Sequence, residues 1–123
     1  GRREVNIFQR YCPIPIAEVR KLSHVILMKL LPSLAEEDIV TFGKAINEIQ
    51  GIGFKKFEVS LQIRKVKELM KLCRSYSYGV GLSSFGPAIY CIVEDERNLL
   101  SALKDKEAEV VFTKANNSGA EIK

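Results

Sequence analysis

The sequence predicts an α+β fold, with helices packed on one face of a small, mainly antiparallel sheet. Three observations predict it. Apolar residues recur at helical spacing in three successive stretches before residue 75. A glycine- and serine-rich segment, Tyr78 to Pro87, then runs into a short, apolar, β-rich run, Ala88 to Val93. A second alternating run, Glu109 to Thr113, follows one more helical stretch. Helices gathered on one side of such a sheet make a two-layer sandwich, and the ferredoxin-like arrangement is the commonest of that kind. At 123 residues the chain reads as a single domain, 1–123, long enough to bury a core.

The elements follow in order. Val5-Asn6-Ile7-Phe8 alternates weakly, as a short strand or an extended lead-in would. Cys12-Pro13-Ile14-Pro15 excludes a helix until Pro15, which suits the first helical position. Ile16, Val19, Leu22, Ile26 and Leu30 then recur at helical spacing, and Val25, Leu27, Met28 and Leu31 widen that face. Little of the helix is left for water, so a central, mostly buried helix is expected, ended or kinked by Pro32. Asp38 is a good N-cap for the next helix, whose Ile39, Phe42, Ile46 and Ile49 form one stripe. Gly43 beside that stripe allows close approach of a neighbour, and Gly51 and Gly53 end the helix. The short link from Pro32 to Glu37 makes the two helices an antiparallel pair.

Phe54 to Leu61 is ambiguous. Phe57 and Val59 alternate like a strand, but Lys55, Lys56, Glu58 and Gln62 do not fit one. Ile63, Val66, Leu69, Met70 and Cys73 make a third helix with a basic face of Arg64, Lys65, Lys67, Lys71 and Arg74, which reads as solvated. The glycine segment can supply one more strand ahead of Pro87, and Ala88 to Val93 reads as a buried strand. Asp95 can cap a fourth helix holding Leu99, Leu100 and Leu103. In the strand from Glu109 to Thr113, Val111 and the Val110/Phe112 pair fall on opposite faces, and the tail from Lys114 to Ala120 is polar and turn-prone.

Composition narrows the chemistry. Hydrophobic residues make up 46% and charged residues 28%, as in an ordinary soluble globular protein. No apolar run approaches the roughly 20 residues of a membrane helix. The opening Gly1-Arg2-Arg3-Glu4 is not a basic-then-apolar leader, so the cytoplasm is expected. Cys12, Cys73 and Cys91 are odd in number and widely spaced, and His24 stands alone, which argues against zinc and against a disulfide framework. The thiols read as small buried hydrophobes. A net charge of +4 and a pI near 9.0 suit an anionic partner without choosing one.

No nucleophile–base constellation is visible, so catalytic residues stay unassigned. His24 reads as a packed histidine on an apolar helix. The helix dipole accounts for Glu36, Glu37 and Asp38, and for Asp95 with its neighbours. The Walker pattern is absent, and Gly79-x-Gly81 followed by Gly86 fails the dinucleotide spacing. What remains is a candidate anion site: Gly79, Gly81 and Gly86 for turns and close approach, the hydroxyls of Ser83 and Ser84, backbone N–H groups, and Pro87 to shape the loop. A plain turn into a buried strand is the competing reading. Such a loop binds and positions without supplying an acid or base. A nucleic-acid module is disfavoured, because Tyr76, Tyr78, Phe85 and Tyr90 cluster round the loop while the lysines lie on a helix.

Gly79-Val80-Gly81-Leu82-Ser83-Ser84-Phe85-Gly86-Pro87-Ala88-Ile89-Tyr90 resembles the signature near the C-terminus of archaeal β-ribofuranosylaminobenzene 5′-phosphate synthases. Arg3 to Phe8, Ile26 to Pro32, Asp38 with Phe42 to Asn47, and Thr113 to Ala120 are similar to the same family. The resemblance covers essentially the whole chain and implies the C-terminal domain of a GHMP kinase superfamily protein, a ferredoxin-like α+β fold. The phosphate-binding N-terminal domain of that superfamily is missing from these residues. The implied reaction condenses a hydroxy- or aminobenzoate with phosphoribosyl pyrophosphate, losing carbon dioxide and pyrophosphate, in methanopterin-type cofactor synthesis. It implies magnesium, and Gly79, Gly81, Ser83, Ser84, Gly86 and Pro87 as a cleft-lining loop. Leu82 stands where many members have glutamine and Ala88 where many have threonine, so both positions lack the polar group that those members could offer a substrate. A GHMP-type small-molecule kinase domain and a non-enzymatic binding module are the alternative readings. Whether the protein forms a homodimer is left open by the sequence.

Overall fold

The computed structural model describes residues 1–120 and 122. Helix α1 (Arg2–Tyr11) replaces the expected strand or lead-in at Val5 to Phe8. The reason lies in α5 (Gly53–Ser60), which also resolves the ambiguity at Phe54 to Leu61 in favour of a helix. Phe8 and Tyr11 are three residues apart, and so are Phe54 and Phe57. Helical backbone puts each pair on one face. The faces meet as Phe8 stacked on Phe54 at 4.7 Å and Tyr11 on Phe57 at 4.3 Å between ring centroids.

Helix α2 (Ile16–Val25) does not stop at Pro32. It passes through a π-helical turn (Ile26–Leu30) into α3 (Leu31–Ala35). Proline lacks an N–H and its ring crowds the carbonyl four residues back. The wider turn just ahead of it, with the Leu31 N–H bonded to the Ile26 carbonyl, relieves that crowding. Ser33 is buried and donates to the Leu30 carbonyl at 2.8 Å. Glu37 closes α3 in the left-handed conformation (φ 57°), and the Asp38 N–H returns to the Ser33 carbonyl at 2.8 Å.

Asp38 caps α4 (Ile39–Ile49), accepting from the Thr41 N–H at 3.1 Å and the Thr41 hydroxyl at 2.6 Å. These two bonds, the hydroxyl's first, hold its carboxyl below the usual carboxylate range. Lys29 and Glu48, nine residues before and ten after Asp38, pair at 2.8 Å, which only antiparallel helices allow. The long helix is not buried as expected. Val25 is the one buried residue of α2, while Leu27, Met28 and Leu34 are 60–65% exposed. Apolar periodicity marks a face that prefers cover, and α4 covers only one side of it.

Helix α6 (Arg64–Arg74) buries Val66, Met70 and Cys73 and leaves all five expected basic residues exposed. Strands β1 (Gly79–Leu82) and β2 (Ile89–Ile92) pair antiparallel, with Gly79 opposite Ile92 and Leu82 opposite Ile89. Much of the glycine segment is therefore strand. Helix α7 (Arg97–Leu103) follows Asp95, which accepts the Arg97 N–H at 3.0 Å. The main core joins Val66, Met70, Cys73, Val80, Leu82 and Leu99. The α+β class thus holds, with helices against a small antiparallel sheet of two strands among the described residues. Two further expectations fail. Strand β2 is only half buried, and Glu109 to Thr113 has no regular structure, with Val111 75% exposed. Strand propensity needs a partner strand, and among the described residues none pairs with this segment. No helix among the described residues is long and apolar enough to cross a membrane.

Candidate functional site

The glycine segment divides into a buried strand and a short exposed loop. Gly79 and Gly81 belong to the strand and serve packing. A Cβ on Gly79 would lie 2.5 Å from the Gly43 carbonyl oxygen, and one on Gly43 would lie 2.1 Å from the Tyr78 carbonyl oxygen. Helix α4 and β1 therefore touch backbone to backbone. Gly81 faces Tyr90 across the strand pair and is covered by its ring, 2.2 Å from where a Cβ would stand. Burial pushes the Tyr90 hydroxyl up in pKa, opposed by its hydrogen bond with Gln50.

Close approach of α4 lets its side chains satisfy the β1 edge that faces away from β2. Asn47 Oδ1 accepts the Val80 N–H at 2.9 Å, and Gln50 Oε1 accepts the Leu82 N–H at 3.0 Å. Gly43, Asn47 and Gln50 form a stripe at spacings of four and three. Such a stripe, of one glycine and two amides, is the sequence signal that could have located this contact. Leu82 is 2% exposed and sits in the core, so no substrate reaches its side chain within this fold.

The loop proper is Ser83 to Ala88. The Ser83 N–H donates to the Ala88 carbonyl at 2.9 Å, and the Gly86 N–H to the Ser83 carbonyl at 2.8 Å. Ser84 (φ 49°) and Gly86 (φ 76°) are left-handed, and the Gly86–Pro87 bond is cis. The carbonyls of the loop turn towards α5 and the residues after it. Lys55 Nζ donates to the Leu82 carbonyl at 3.3 Å and the Ser84 carbonyl at 3.0 Å, and Gln62 Nε2 to the Phe85 carbonyl at 2.7 Å. A Cβ at Gly86 would stand 2.5 Å from Gln62 Oε1, so this glycine is needed for fit as well as for its φ. Phe85 sets its ring edge-on to Phe8 at 5.7 Å and to Phe54 at 6.0 Å.

The anion cradle of backbone N–H groups is therefore mostly spent on structure. Among the described residues, hydrogen bonds engage the amides of Val80, Leu82, Ser83 and Gly86 but not the hydroxyls of Ser83 and Ser84, which lie exposed. Beside the loop is a cleft of about 290 Å³ lined by Arg2, Arg3, Glu58, Gln62, Phe85 and Gly86. The sequence reading missed Arg2, Arg3, Lys55, Glu58 and Gln62, since only the fold of α1 and α5 onto the loop assembles them. Pro87 and Ala88 are exposed at the far side of the loop.

Other expected features lie elsewhere. Tyr76 and Tyr78 are at the opposite end of the strand pair, lining a cleft of about 370 Å³ with Ser75, Glu94, Asp95 and Asn98. The Tyr78 hydroxyl donates to Glu94 at 3.2 Å, and that carboxylate raises its pKa through its charge first and the bond second. Arg97 clasps Asp95 and holds its carboxyl down at about 2. His24 is exposed on α2, not packed as expected. Of the cysteines only Cys73 is buried. Cys91 is half buried and Cys12, in the turn after α1, is exposed. The Cys73 and Cys91 thiols hydrogen-bond each other, which pushes Cys91 up in pKa and Cys73 down. Among the described residues no three His, Cys, Asp or Glu side chains converge.

Known proteins resemble the chain along almost its whole length. It is 43% identical over 124 residues to a beta-ribofuranosylphenol 5'-phosphate synthase of Methanothermobacter thermautotrophicus, which covers 98% of this chain and 38% of that protein. It is 42% identical over 127 residues to the protein of the same name from Methanocaldococcus jannaschii, again 38% of that protein, and 43% over 129 residues to that of Archaeoglobus fulgidus, 40% of it. The chain thus spans about two fifths of the length of these relatives. Residues 30–109 match the family described as GHMP kinases C terminal. That match takes in both strands, the loop between them and the helices packed on them, and the chain belongs to the GHMP kinase C-terminal family.

Proposed function

We propose that this chain is the C-terminal part of a phosphoribosyl-transferring synthase, which condenses a hydroxy- or aminobenzoate with phosphoribosyl pyrophosphate and releases carbon dioxide and pyrophosphate. The observation that carries this reading is identity of 42–43% over at least 98% of the chain to three proteins named beta-ribofuranosylphenol 5'-phosphate synthase. A ribosyl phosphate on a phenol favours the hydroxy acid as acceptor. Methanopterin-type cofactor synthesis is the pathway that goes with it.

The site supports the reading by its polarity. Two exposed hydroxyls, Ser83 and Ser84, stand beside a cleft whose lining carries the guanidinium groups of Arg2 and Arg3 along with the carboxylates of Glu4 and Glu58. Hydroxyl and guanidinium donors suit the phosphates of the donor substrate, and charge-assisted bonds to them are the stronger kind. None of these groups is placed as an acid–base pair, so the task assigned to this part is to bind and orient. Magnesium, which the family reading implies, would supply positive charge at the phosphates of the donor. The rest of the relatives' length supplies the partner domain that completes the cleft.

The test is kinetic. In the full-length enzyme, Ser83→Ala with Ser84→Ala should raise KM for phosphoribosyl pyrophosphate about tenfold or more, since a hydrogen bond to a charged group contributes about 1.5–3 kcal/mol. Unchanged affinity and turnover would remove the serine loop from the phosphate site, and a wild-type enzyme that does not bind phosphoribosyl pyrophosphate would sink the reading itself. The name of the matched family favours a second one, a small-molecule kinase. It predicts ATP turnover on an alcohol or sugar and none on phosphoribosyl pyrophosphate.

A further inference from the structure

We propose that Lys55, acting with Gln62, is the positioning residue that sets the shape of the serine loop for an anionic ligand. The proposal rests on the reading above for the identity of that ligand. The geometry of the clamp stands without it.

Three observations carry it. The Lys55 side chain is only 22% exposed, and its ammonium group is filled by three oxygens: Glu58 Oε2 at 3.2 Å, the Leu82 carbonyl at 3.3 Å and the Ser84 carbonyl at 3.0 Å. An ammonium has three donors, so none is left to reach a ligand. Ser84, whose carbonyl Lys55 holds, carries a left-handed φ of 49°, a conformation a serine keeps only when its surroundings fix it. Gln62 extends the same grip by one residue, donating from Nε2 to the Phe85 carbonyl at 2.7 Å and to the Glu58 carbonyl at 3.0 Å.

The chemical consequence follows from the sign of the charges. A carbonyl oxygen near a phosphate repels it. Lys55 and Gln62 gather the oxygens of Leu82, Ser84 and Phe85 on the protein side of the loop. The hydroxyls of Ser83 and Ser84 lie exposed. Glu58 neutralises the lysine, so the clamp adds no charge of its own to the cleft. Lys55 is therefore a positioning residue that acts through the loop without touching the ligand.

The experiment compares full-length wild type with Lys55→Met, Lys55→Arg and Gln62→Met. Hydrogen exchange at the Ser83 and Gly86 amides, both bonded within the loop, should accelerate tenfold or more in Lys55→Met and less in Lys55→Arg. KM for phosphoribosyl pyrophosphate should rise in the same order while kcat changes less than twofold. Where Lys55→Met leaves the buried Glu58 unpaired and fails to fold, Lys55→Met with Glu58→Gln removes that carboxylate, and Gln62→Met tests the clamp independently. Unchanged loop exchange in the folded variants, or faster exchange with an unaltered KM, would overturn the proposal. A wild-type enzyme that does not bind phosphoribosyl pyrophosphate overturns the reading of function instead, and the exchange rates still decide whether Lys55 holds the loop.

Discussion

Gly43 and Gly79 meet at a distance no side chain tolerates, and that contact sets how α4 lies on β1. Everything downstream at the residue scale depends on it. Asn47 and Gln50 reach the amides of Val80 and Leu82 only because the backbones touch. We expect Gly43→Ala to lose at least about 2 kcal/mol in denaturant unfolding, because overpacking against a backbone carbonyl outweighs the better helix propensity of alanine. Gly51→Ala is the control. A Cβ there meets only the Glu48 carbonyl oxygen, at 3.6 Å, so its midpoint should stay near wild type. Gly81 differs from Gly43 because its obstacle is a side chain, the 39% exposed Tyr90 ring, and not backbone.

At the scale of elements, helix ends and helix breaks follow local chemistry. The α2–α3 helix survives Pro32 by widening one turn, and it ends where Glu37 goes left-handed. Glu37 is exposed, and its side chain gains little there to offset an unfavourable backbone. Glu37→Gly should therefore raise stability by about 0.5–1 kcal/mol, read as a higher unfolding midpoint. A lower midpoint would mean that the side chain holds a contact worth more than the strain. Helices α1 and α5 form through each other: two aromatic pairs at matched spacing stack across them, and Phe85 of the loop packs against the same group. The loop is thereby tied to the N-terminal helix, which brings Arg2 and Arg3 to its side.

At the scale of the whole molecule, the candidate site sets the exposed Ser83 and Ser84 beside an open cleft, with no nucleophile–base constellation among the described residues. The chain also leaves Leu27, Met28, Leu31 and Leu34 substantially exposed along one helix. Both features agree with a chain that spans about two fifths of its relatives. The isolated 123 residues are expected to release no pyrophosphate from phosphoribosyl pyrophosphate with hydroxybenzoate, as followed by a coupled pyrophosphate assay. Measurable release would place a complete active site within this chain.

The sequence by itself determined the α+β class, the Asp38 cap, the helix from Arg64 to Arg74, the close approach at Gly43 and the family, because these are written in local spacing, capping chemistry or a contiguous motif. The serine loop was legible as a motif but not as a geometry. Gly79 and Gly81 looked like loop glycines, and only the strand register shows them packed under Tyr90 and against α4. Tertiary structure alone decided that α1 and α5 are helices, that His24 and Cys12 face water, and that Lys55, Gln62, Arg2 and Arg3 belong beside the loop. The physical reason is the same in each case. Periodicity records what a residue would prefer to touch, whereas burial, hydrogen-bond partners and charge neighbours are set by segments tens of residues away, as Lys55 is from Ser84.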